Sequence, residues 1–202
     1  MKESPILFSA PMVRALLAGT KTQTRRIFKP DRMTWDANGR YTTYAMRGGE
    51  LSTTGSGPFK PSSWLHYCPY GQPGEDRLYV RETWAAPHAY DHLPPRLIPQ
   101  DARIHYAATE DRGGLLWRPS IHMPRWASRI TLEVTGVRVE RLQDISEADA
   151  EAEGIDFIRH YPDADETLTA KVLYEVLWES INGPGSWEAN PWVWVIDFRR
   201  LP

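Results

Sequence analysis

The segment at residues 192–198 carries apolar side chains at both odd and even positions. Successive side chains of a β-strand point to opposite faces of a sheet, so a strand of this composition needs cover on both sides. We therefore predict that it is a central strand and that other elements of the chain pack on both of its faces.

Strict alternation of apolar and polar residues marks a second strand at residues 77–84. Glu82 and Trp84 share one face of this strand with two aliphatic residues, and that face is typical of a side turned toward a core. Further strands are predicted at residues 5–8, at 104–107, and at 130–139, where the pattern indicates two strands or one strand with a bulge.

Three segments have the composition and the end signals of helices. Pro11 stands in the first turn of the first helix, and Gly19 follows its apolar stripe as a C-terminal stop. Ser146 and Asp149 have capping-box spacing at the start of the second helix. The third is an amphipathic helix that includes residues 168–177.

Strands and helices do not alternate regularly along the chain, so the sequence predicts an α+β fold and not a doubly wound parallel sheet. We expect a small, barrel-like β-sheet flanked by two or three helices, in a single domain over residues 1–202. Two stretches of weak periodicity, around residues 31–73 and 85–118, are predicted as long loop insertions, the first with a hairpin near Gly39.

Composition limits both the setting and the partners of the chain. A formal charge of −2 excludes a globally basic nucleic-acid coat protein, and the single Cys68 excludes an internal disulfide. No apolar run approaches the ~18 residues of a membrane span, and the first residues do not resemble a signal peptide. We therefore expect a cytoplasmic protein that does not enter a membrane.

The common cofactor and metal motifs are absent from the sequence. It contains neither a Gly-x-x-x-x-Gly-Lys-Ser/Thr phosphate loop nor a Gly-x-Gly-x-x-Gly turn. The histidines are scattered, and His88 and His92 lie in a proline-rich stretch that disfavours a helical pair of metal ligands. We therefore expect no cofactor and no metal.

The most reactive cluster of polar residues follows the first helix, at residues 21–26. Lys21 offers a base, Thr24 a hydroxyl nucleophile, and Arg25 and Arg26 offer planar forks that bind anions. The alternative is a polar edge strand with solvated charges. In a regular strand Lys21 and Thr24 point to opposite faces, so they converge only if the backbone turns between them.

Two carboxylates are further candidates. Glu82 lies on the apolar face of its strand, where it either contacts a ligand and orients Lys21 or forms a structural salt bridge with an arginine. Glu153 lies in the last turn of the second helix, where an acid opposes the helix dipole. Such a local conflict hints at function, and the alternative is a solvated residue in an acidic run.

Four segments together resemble the ASCH domain family. Residues 19–26 look like its opening signature Gly-x-Lys-Thr-x-Thr-x-Arg, and residues 74–82 resemble its second block, a Gly-Asp turn followed by a strand. An acidic helix ending in Glu-Gly at residues 145–155 and a closing strand at 194–198 follow in the family's order. The resemblance implies a PUA-like fold, a small β-barrel with a cleft beside the first helix.

The family includes small bacterial amidohydrolases that remove acetyl from N(4)-acetylcytidine, and the chain is also similar to prophage-encoded ASCH proteins. The resemblance implies that Lys21, Thr24 and Glu153 are catalytic. Lys21 would act as base on Thr24 or on a water, and Glu153 would carry a proton to the leaving amine. Arg25, Arg26 or a backbone amide would stabilise the oxyanion. The expected substrate is an N-acylated cytidine-like nucleoside.

Two other functions stay open at this point. In a non-catalytic RNA-binding module, Lys21, Arg25 and Arg26 would contact phosphates, and Trp84 or Trp126 would stack on a base. In a ribonuclease, the lysine and the glutamate would act on a 2′-hydroxyl. All three hypotheses share RNA or a modified nucleoside as the partner.

Overall fold

A computed structural model describes residues 1–28, 32–35, 41–45, 68–111, 113–159 and 167–202. The strands are β1 (Glu3–Leu7), β2 (Gln23–Ile27), β3 (Arg32–Trp35), β4 (Tyr41–Ala45), β5 (Arg77–Arg81), β6 (Trp84–Ala85), β7 (His105–Tyr106), β8 (Thr131–Arg141) and β9 (Trp192–Arg200). The α-helices are α1 (Ala10–Ala18), α2 (Glu147–Ala152), α3 (Asp156–Arg159) and α4 (Ala170–Asn182). Single turns of 3₁₀-helix occur at His88–Tyr90, Pro95–Leu97, Ser120–His122, Arg125–Ala127 and Leu142–Asp144.

Five strands form the main sheet in the order β1-β5-β8-β9-β2. β1 is parallel to β5, and the other neighbours are antiparallel. β8 is one continuous strand with a register shift between Val134 and Gly136, so the version of the prediction with a single bulged strand is confirmed. Strands and helices are mixed without a regular alternation, which confirms the α+β class.

β9 lies inside the sheet and is covered on both faces, as its composition predicts. Trp194, Ile196 and Phe198 belong to the core cluster that contains α1 residues. Val193 and Val195 belong to a second cluster on the other face, with residues of α2 and α4. The two faces of this strand therefore contact two different cores, as the alternation of β-strand side chains requires.

β1 and β2 are the two edges of the sheet, and the backbone pairs of the described residues do not join them. The two edges are nevertheless close, because Nη2 of Arg26 in β2 donates a hydrogen bond to the carbonyl oxygen of Leu7, 3.0 Å away, at the end of β1. The ladder is thus an open sheet with a side-chain link between its edges.

The ends of the helices follow the predicted signals. Pro11 lies in the first turn of α1, and Gly19 caps its C-terminus in the left-handed conformation, with φ 78°. Ser146 is the N-cap of α2, and its hydroxyl accepts a hydrogen bond from the Asp149 N–H. The C-terminus of α1 and the N-terminus of α2 are therefore fixed by local chemistry.

The segment predicted as an insertion at residues 85–118 contains structure of its own. β6 pairs with β7, and Trp84 packs with Ile98 and Met123 in a third hydrophobic cluster. In the other predicted insertion, β3 and β4 pair antiparallel on either side of Gly39, which itself lies outside the described residues. None of the helices in the described ranges is long and apolar enough to span a membrane.

Candidate active site

The chain brings Lys21 to Glu153 as it passes from α1 into β2. Lys21 lies two residues before the first residue of β2, and it forms an isolated antiparallel bridge with Glu153 at the end of α2. The next residue, Thr22, donates its N–H to the carbonyl oxygen of Ala152, 2.9 Å away. The backbone before β2 therefore runs along the C-terminus of α2, outside the regular strand.

The Lys21 side chain is buried, and its ammonium is surrounded by oxygen atoms. Nζ donates to the Glu153 carboxylate oxygen Oε2 at 2.7 Å, to the Glu153 carbonyl oxygen at 2.7 Å and to the Gln23 carbonyl oxygen at 2.9 Å. Burial lowers the pKa of Lys21, and the negative charge of Glu153 opposes that shift. The residue is thus a desolvated amine with one charged partner.

Glu153 is only 3% exposed and is the centre of the buried polar group. Its second carboxylate oxygen, Oε1, accepts from the Tyr174 hydroxyl at 3.3 Å and from Nη1 of Arg25 at 3.4 Å. Burial raises the pKa of Tyr174 well above its ordinary value, so its hydroxyl stays a proton donor. An acid is unfavourable at the end of α2, and the positive charge of Lys21 offsets this, since its ammonium also donates a hydrogen bond to the Glu153 carbonyl oxygen.

Close backbone packing holds this pair together. Gly154 follows Glu153 with φ +75°, a conformation that favours glycine. A Cβ atom at this position would lie 2.8 Å from Cβ of Lys21 and 2.9 Å from Cβ of Ala15. A side chain here would therefore push apart the segments that carry the ion pair.

Arg25 is buried beside the pair and is held by other polar groups. Nη1 donates to Oε1 of Gln23 at 2.5 Å, and Nη2 donates to Oε1 of Glu140 at 2.6 Å. Its Nε is buried without a hydrogen-bond partner in the described part of the chain. Arg138 extends the network outward and binds three carboxylates, those of Glu140, Asp149 and Asp197.

Thr24 and Arg26 form a second polar contact nearby. Thr24 is 1% exposed, and its hydroxyl oxygen accepts a hydrogen bond from Nη1 of Arg26 at 2.9 Å. The Arg26 guanidinium also lies over the Phe8 ring, 5.2 Å from its centroid. The contact fixes the position of the threonine hydroxyl.

These residues line one pocket of about 290 Å³. Its polar wall contains five predicted site residues: Lys21, Thr24, Arg25, Arg26 and Glu153. Most of the remaining wall is apolar and comes from β1, α1 and α4. Small-molecule sites typically measure about 300–1,000 Å³, so this pocket suits a small ligand or a single residue of a polymer. Lys21 and Thr24, which a regular strand would separate, thus face the same cavity.

The other three predicted residues lie outside this pocket. Glu82 forms a bidentate ion pair with Arg129, with N–O distances of 2.9 and 3.0 Å, and does not orient Lys21. Burial raises the pKa of Glu82, and Arg129 opposes the shift. Of the two alternatives for Glu82, the structural salt bridge is therefore the one observed.

The base-stacking role predicted for Trp84 is wrong for the structure described here. Trp84 is 0% exposed, so neither face of its ring is open to a base. Trp126 is half-buried and packs edge-on against Trp84, with 6.5 Å between ring centroids. Both rings serve the third hydrophobic cluster, and a high tryptophan content does not distinguish this role from stacking.

The sequence did not indicate the role of three residues at or beside the site. Tyr174 lies in α4 among apolar residues of the same helical stripe, so its spacing alone indicates a core position. Gln23 lies within the predicted motif but carries no charge, and Glu140 lies in β8, far from the motif along the chain. Their contacts depend on packing between distant segments.

Comparison with protein-family models, with curated proteins and with solved structures gives no match for this chain. Within the described residues, no group of three or more His, Cys, Asp or Glu side chains could hold a metal ion.

Proposed function

We propose that the chain is a cytoplasmic ASCH-type protein that removes an N-acyl group from a cytidine-like nucleoside, free or within RNA. One observation carries this proposal: the Lys21–Glu153 ion pair, with 2.7 Å between Nζ and Oε2, lines the same pocket as Thr24. A buried ion pair is weak evidence for stability, because the desolvation of both charges offsets their attraction. Such a pair in the wall of a cavity is a typical feature of functional sites.

The approach of the two edges of the open sheet supports a PUA-like barrel as the finer description of the fold. Its edge strands β1 and β2 approach each other where Arg26 binds the Leu7 carbonyl oxygen. The pocket lies beside α1 at the same place, with residues from the end of β1, from α1 and from β2 in its wall. A cleft beside the first helix is what the family resemblance implies.

In the proposed reaction, Lys21 loses a proton to Glu153 when the substrate excludes water from the pocket. The neutral amine then takes the proton of the Thr24 hydroxyl, and the threonine oxygen attacks the acyl carbonyl carbon. The C–N bond breaks, and the protonated Glu153 gives its proton to the leaving amine. Water hydrolyses the acyl-threonine ester and restores the hydroxyl. If the attacking oxygen belongs to water instead, the neutral amine takes a proton of that water, and the protonated Glu153 again gives its proton to the leaving amine.

The two arginines have different parts in this proposal. Arg25 donates to Gln23 and to Glu140 and also contacts the Glu153 carboxylate, so in this proposal it holds that carboxylate and does not stabilise the oxyanion. Arg26 donates to the Thr24 oxygen, where its positive charge favours the loss of the hydroxyl proton. Arg26 is thus a positioning residue for the nucleophile.

The test is turnover of N(4)-acetylcytidine and a panel of other acylated cytidines by the purified protein, with the products separated by chromatography. We expect Lys21→Met and Glu153→Gln to lower kcat at least about 100-fold, as for the loss of a general base or acid. Thr24→Val distinguishes the two nucleophiles, because it removes the hydroxyl and keeps the shape. Its activity is lost if threonine attacks and is largely kept if water attacks.

A matched control is Glu82→Gln, which also breaks a buried ion pair but lies outside the pocket. We expect this variant to be less stable yet to keep its turnover. The proposal fails if no acylated cytidine is turned over, or if Lys21→Met is as active as the wild type. Salt-sensitive RNA binding without turnover would instead favour the binding module, and cleaved RNA would favour the ribonuclease.

A further inference from the structure

Three cations line the pocket, and one of them has no anionic partner among the described residues. Lys21 is paired with Glu153, and Arg25 is paired with Glu140 at 2.6 Å. Arg26 forms no ion pair with any described residue. Its hydrogen bonds go to neutral oxygens, those of the Thr24 hydroxyl and of the Arg25 and Leu7 carbonyl groups. The part of the chain that the structure describes thus provides no counter-charge for this half-buried guanidinium in the cavity wall.

The Arg26 side chain also has donor capacity to spare. A guanidinium has five N–H groups in a planar fork. Three of these N–H groups donate to oxygen atoms of Thr24, Arg25 and Leu7. The Nε–H group has no acceptor among the described residues. Nε–H and Nη–H groups on one side of the fork match two oxygens of a phosphate or a carboxylate.

The start of α1 supplies further donors on the same side of the pocket. Ser9 is the N-cap of α1, but its side chain makes no capping hydrogen bond. Both Ser9 and Met12 line the pocket. In the first turn of α1, Pro11 has no N–H, and Val13 donates to the Ser9 carbonyl oxygen at 2.9 Å. The N–H groups without intrahelical acceptors therefore include those of Ala10 and Met12. Arg26 is adjacent, because it binds the carbonyl oxygen of Leu7, two residues before Ser9.

We propose that Arg26, the Ser9 hydroxyl and the N–H groups of Ala10 and Met12 form a phosphate-binding wall of this pocket. The substrate is then a cytidine-like nucleotide residue that carries a phosphate, and not a free nucleoside. The identity of the base rests on the proposed function, whereas phosphate binding by this wall does not depend on turnover. Two sources share the required chemistry: the monoester of a free nucleotide and the diester of an RNA residue.

The kinetic test compares three substrates: N(4)-acetylcytidine, its 5′-monophosphate, and a trinucleotide with the acetylated cytidine in the centre. We expect at least one phosphate-bearing substrate to have a kcat/KM about tenfold to 100-fold above that of the nucleoside, the range for a charge-assisted hydrogen bond. The ratio should fall as salt is added. Preference for the mononucleotide or for the trinucleotide identifies the source of the phosphate.

Variants of the proposed wall then show which residues cause the preference for a phosphate-bearing substrate. In Arg26→Gln we expect the phosphate-bearing substrate to lose its advantage, whatever the effect of this change on Thr24, because the ratio of two substrates cancels that effect. Ser9→Ala is a second variant that should lower the ratio severalfold. Arg200→Gln is the control: it removes one exposed positive charge outside the pocket and should keep the ratio.

A binding measurement separates this inference from the proposed function. Calorimetric titration with cytidine and with cytidine 5′-monophosphate, the deacylated products, needs no catalysis. Tighter binding of the monophosphate to the wild type, with the difference lost in Arg26→Gln, supports the phosphate wall even if no acyl group is ever released. Equal kcat/KM for all three substrates and equal affinity for both products would overturn it, and Lys21-dependent turnover of the nucleoside would then still support the proposed function.

Discussion

Lys21 and Glu153 meet twice, through a bridge between their backbones and through a 2.7 Å contact between Nζ and Oε2, although they are 132 residues apart. The pair fastens the start of β2 to the end of α2. Both side chains are almost completely buried. The removal of either partner therefore leaves a charge inside the protein with fewer groups to compensate it.

This relationship predicts a strong coupling in a double-mutant cycle. We expect Lys21→Met and Glu153→Gln to lower the free energy of unfolding by about 3 kcal/mol each, because each leaves the other partner buried and incompletely paired. The double variant should lose less than the sum, with a coupling of about 1 kcal/mol or more. Urea unfolding of the four proteins measures all three values. Strictly additive losses would show that the two groups do not interact.

Tyr174→Phe tests the contribution of the tyrosine hydroxyl to Glu153. The change removes the donor at 3.3 Å and keeps the ring, which packs near Trp178 and Trp187. We expect kcat to fall about tenfold, with a loss of about 1 kcal/mol in the free energy of unfolding. Tyr106→Phe is the matched control, since its hydroxyl binds the Ala127 carbonyl oxygen outside the pocket at 3.0 Å. Equal kinetic effects in both variants would contradict a role for Tyr174 at the site.

Gly154→Ala and Gly185→Ala form a second matched pair. Both glycines have φ +75°, but only Gly154 would place its new Cβ against other atoms, 2.8 Å from that of Lys21. We expect a cost of about 1–2 kcal/mol at Gly185 from the backbone conformation alone. At Gly154 the overpacking should add about 1–3 kcal/mol. Thermal and urea unfolding measure the difference, and equal losses would mean that the close approach is easily relieved.

The lowered pKa of Asp149 predicts that the protein loses a specific part of its free energy of unfolding in acid. Burial alone would raise the pKa of Asp149, but hydrogen bonds from Gln23 and Ser146 outweigh it and leave the pKa below its ordinary value of 3.8. The charges of Arg138 and Arg25 act in the same direction. A lowered pKa means that the unfolded chain binds the proton first, so this contribution is complete above pH 3.8 and is lost as the pH falls through the folded-state pKa.

The measurement is the free energy of unfolding of the wild type and of Asp149→Asn at a series of pH values from neutral to strongly acidic. We expect the difference between the two proteins to be largest at neutral pH and to shrink only below about pH 4. A difference that stays constant over the whole series would mean that Asp149 contributes no proton-linked stability.

The sequence predicted those features that depend on local pattern. Alternation at residues 77–84 predicts that Leu78, Val80, Glu82 and Trp84 are buried, and all four are at most 1% exposed. The prediction of one strand is wrong, because the segment is divided into β5 and β6, which belong to different sheets. The two-sided composition of β9 likewise predicts its two cores. Side-chain period and apolar content decide these outcomes within a few residues, so they can be inferred without distant contacts.

Features that depend on distant contacts could not be derived in this way. Nothing in the local pattern shows that Glu82 faces Arg129 and that Glu153 faces Lys21, since both carboxylates have arginines and lysines available along the chain. A high tryptophan content is equally compatible with a core position and with base stacking, so it could not decide the role of Trp84. Only the packing of its strand against residues 98–127 decides between the two.

The link from Arg26 to the Leu7 carbonyl oxygen has a mechanical consequence. It connects β1 and β2, the two edge strands of the sheet, which are not joined by backbone pairing in the described residues. A ligand bound by the same guanidinium and by the start of α1 would add a second link between these two edge strands. Occupancy of the pocket would then slow the local opening of β1 and β2. Ligand binding would therefore lower the rate of amide hydrogen exchange in these strands, whether or not the ligand reacts.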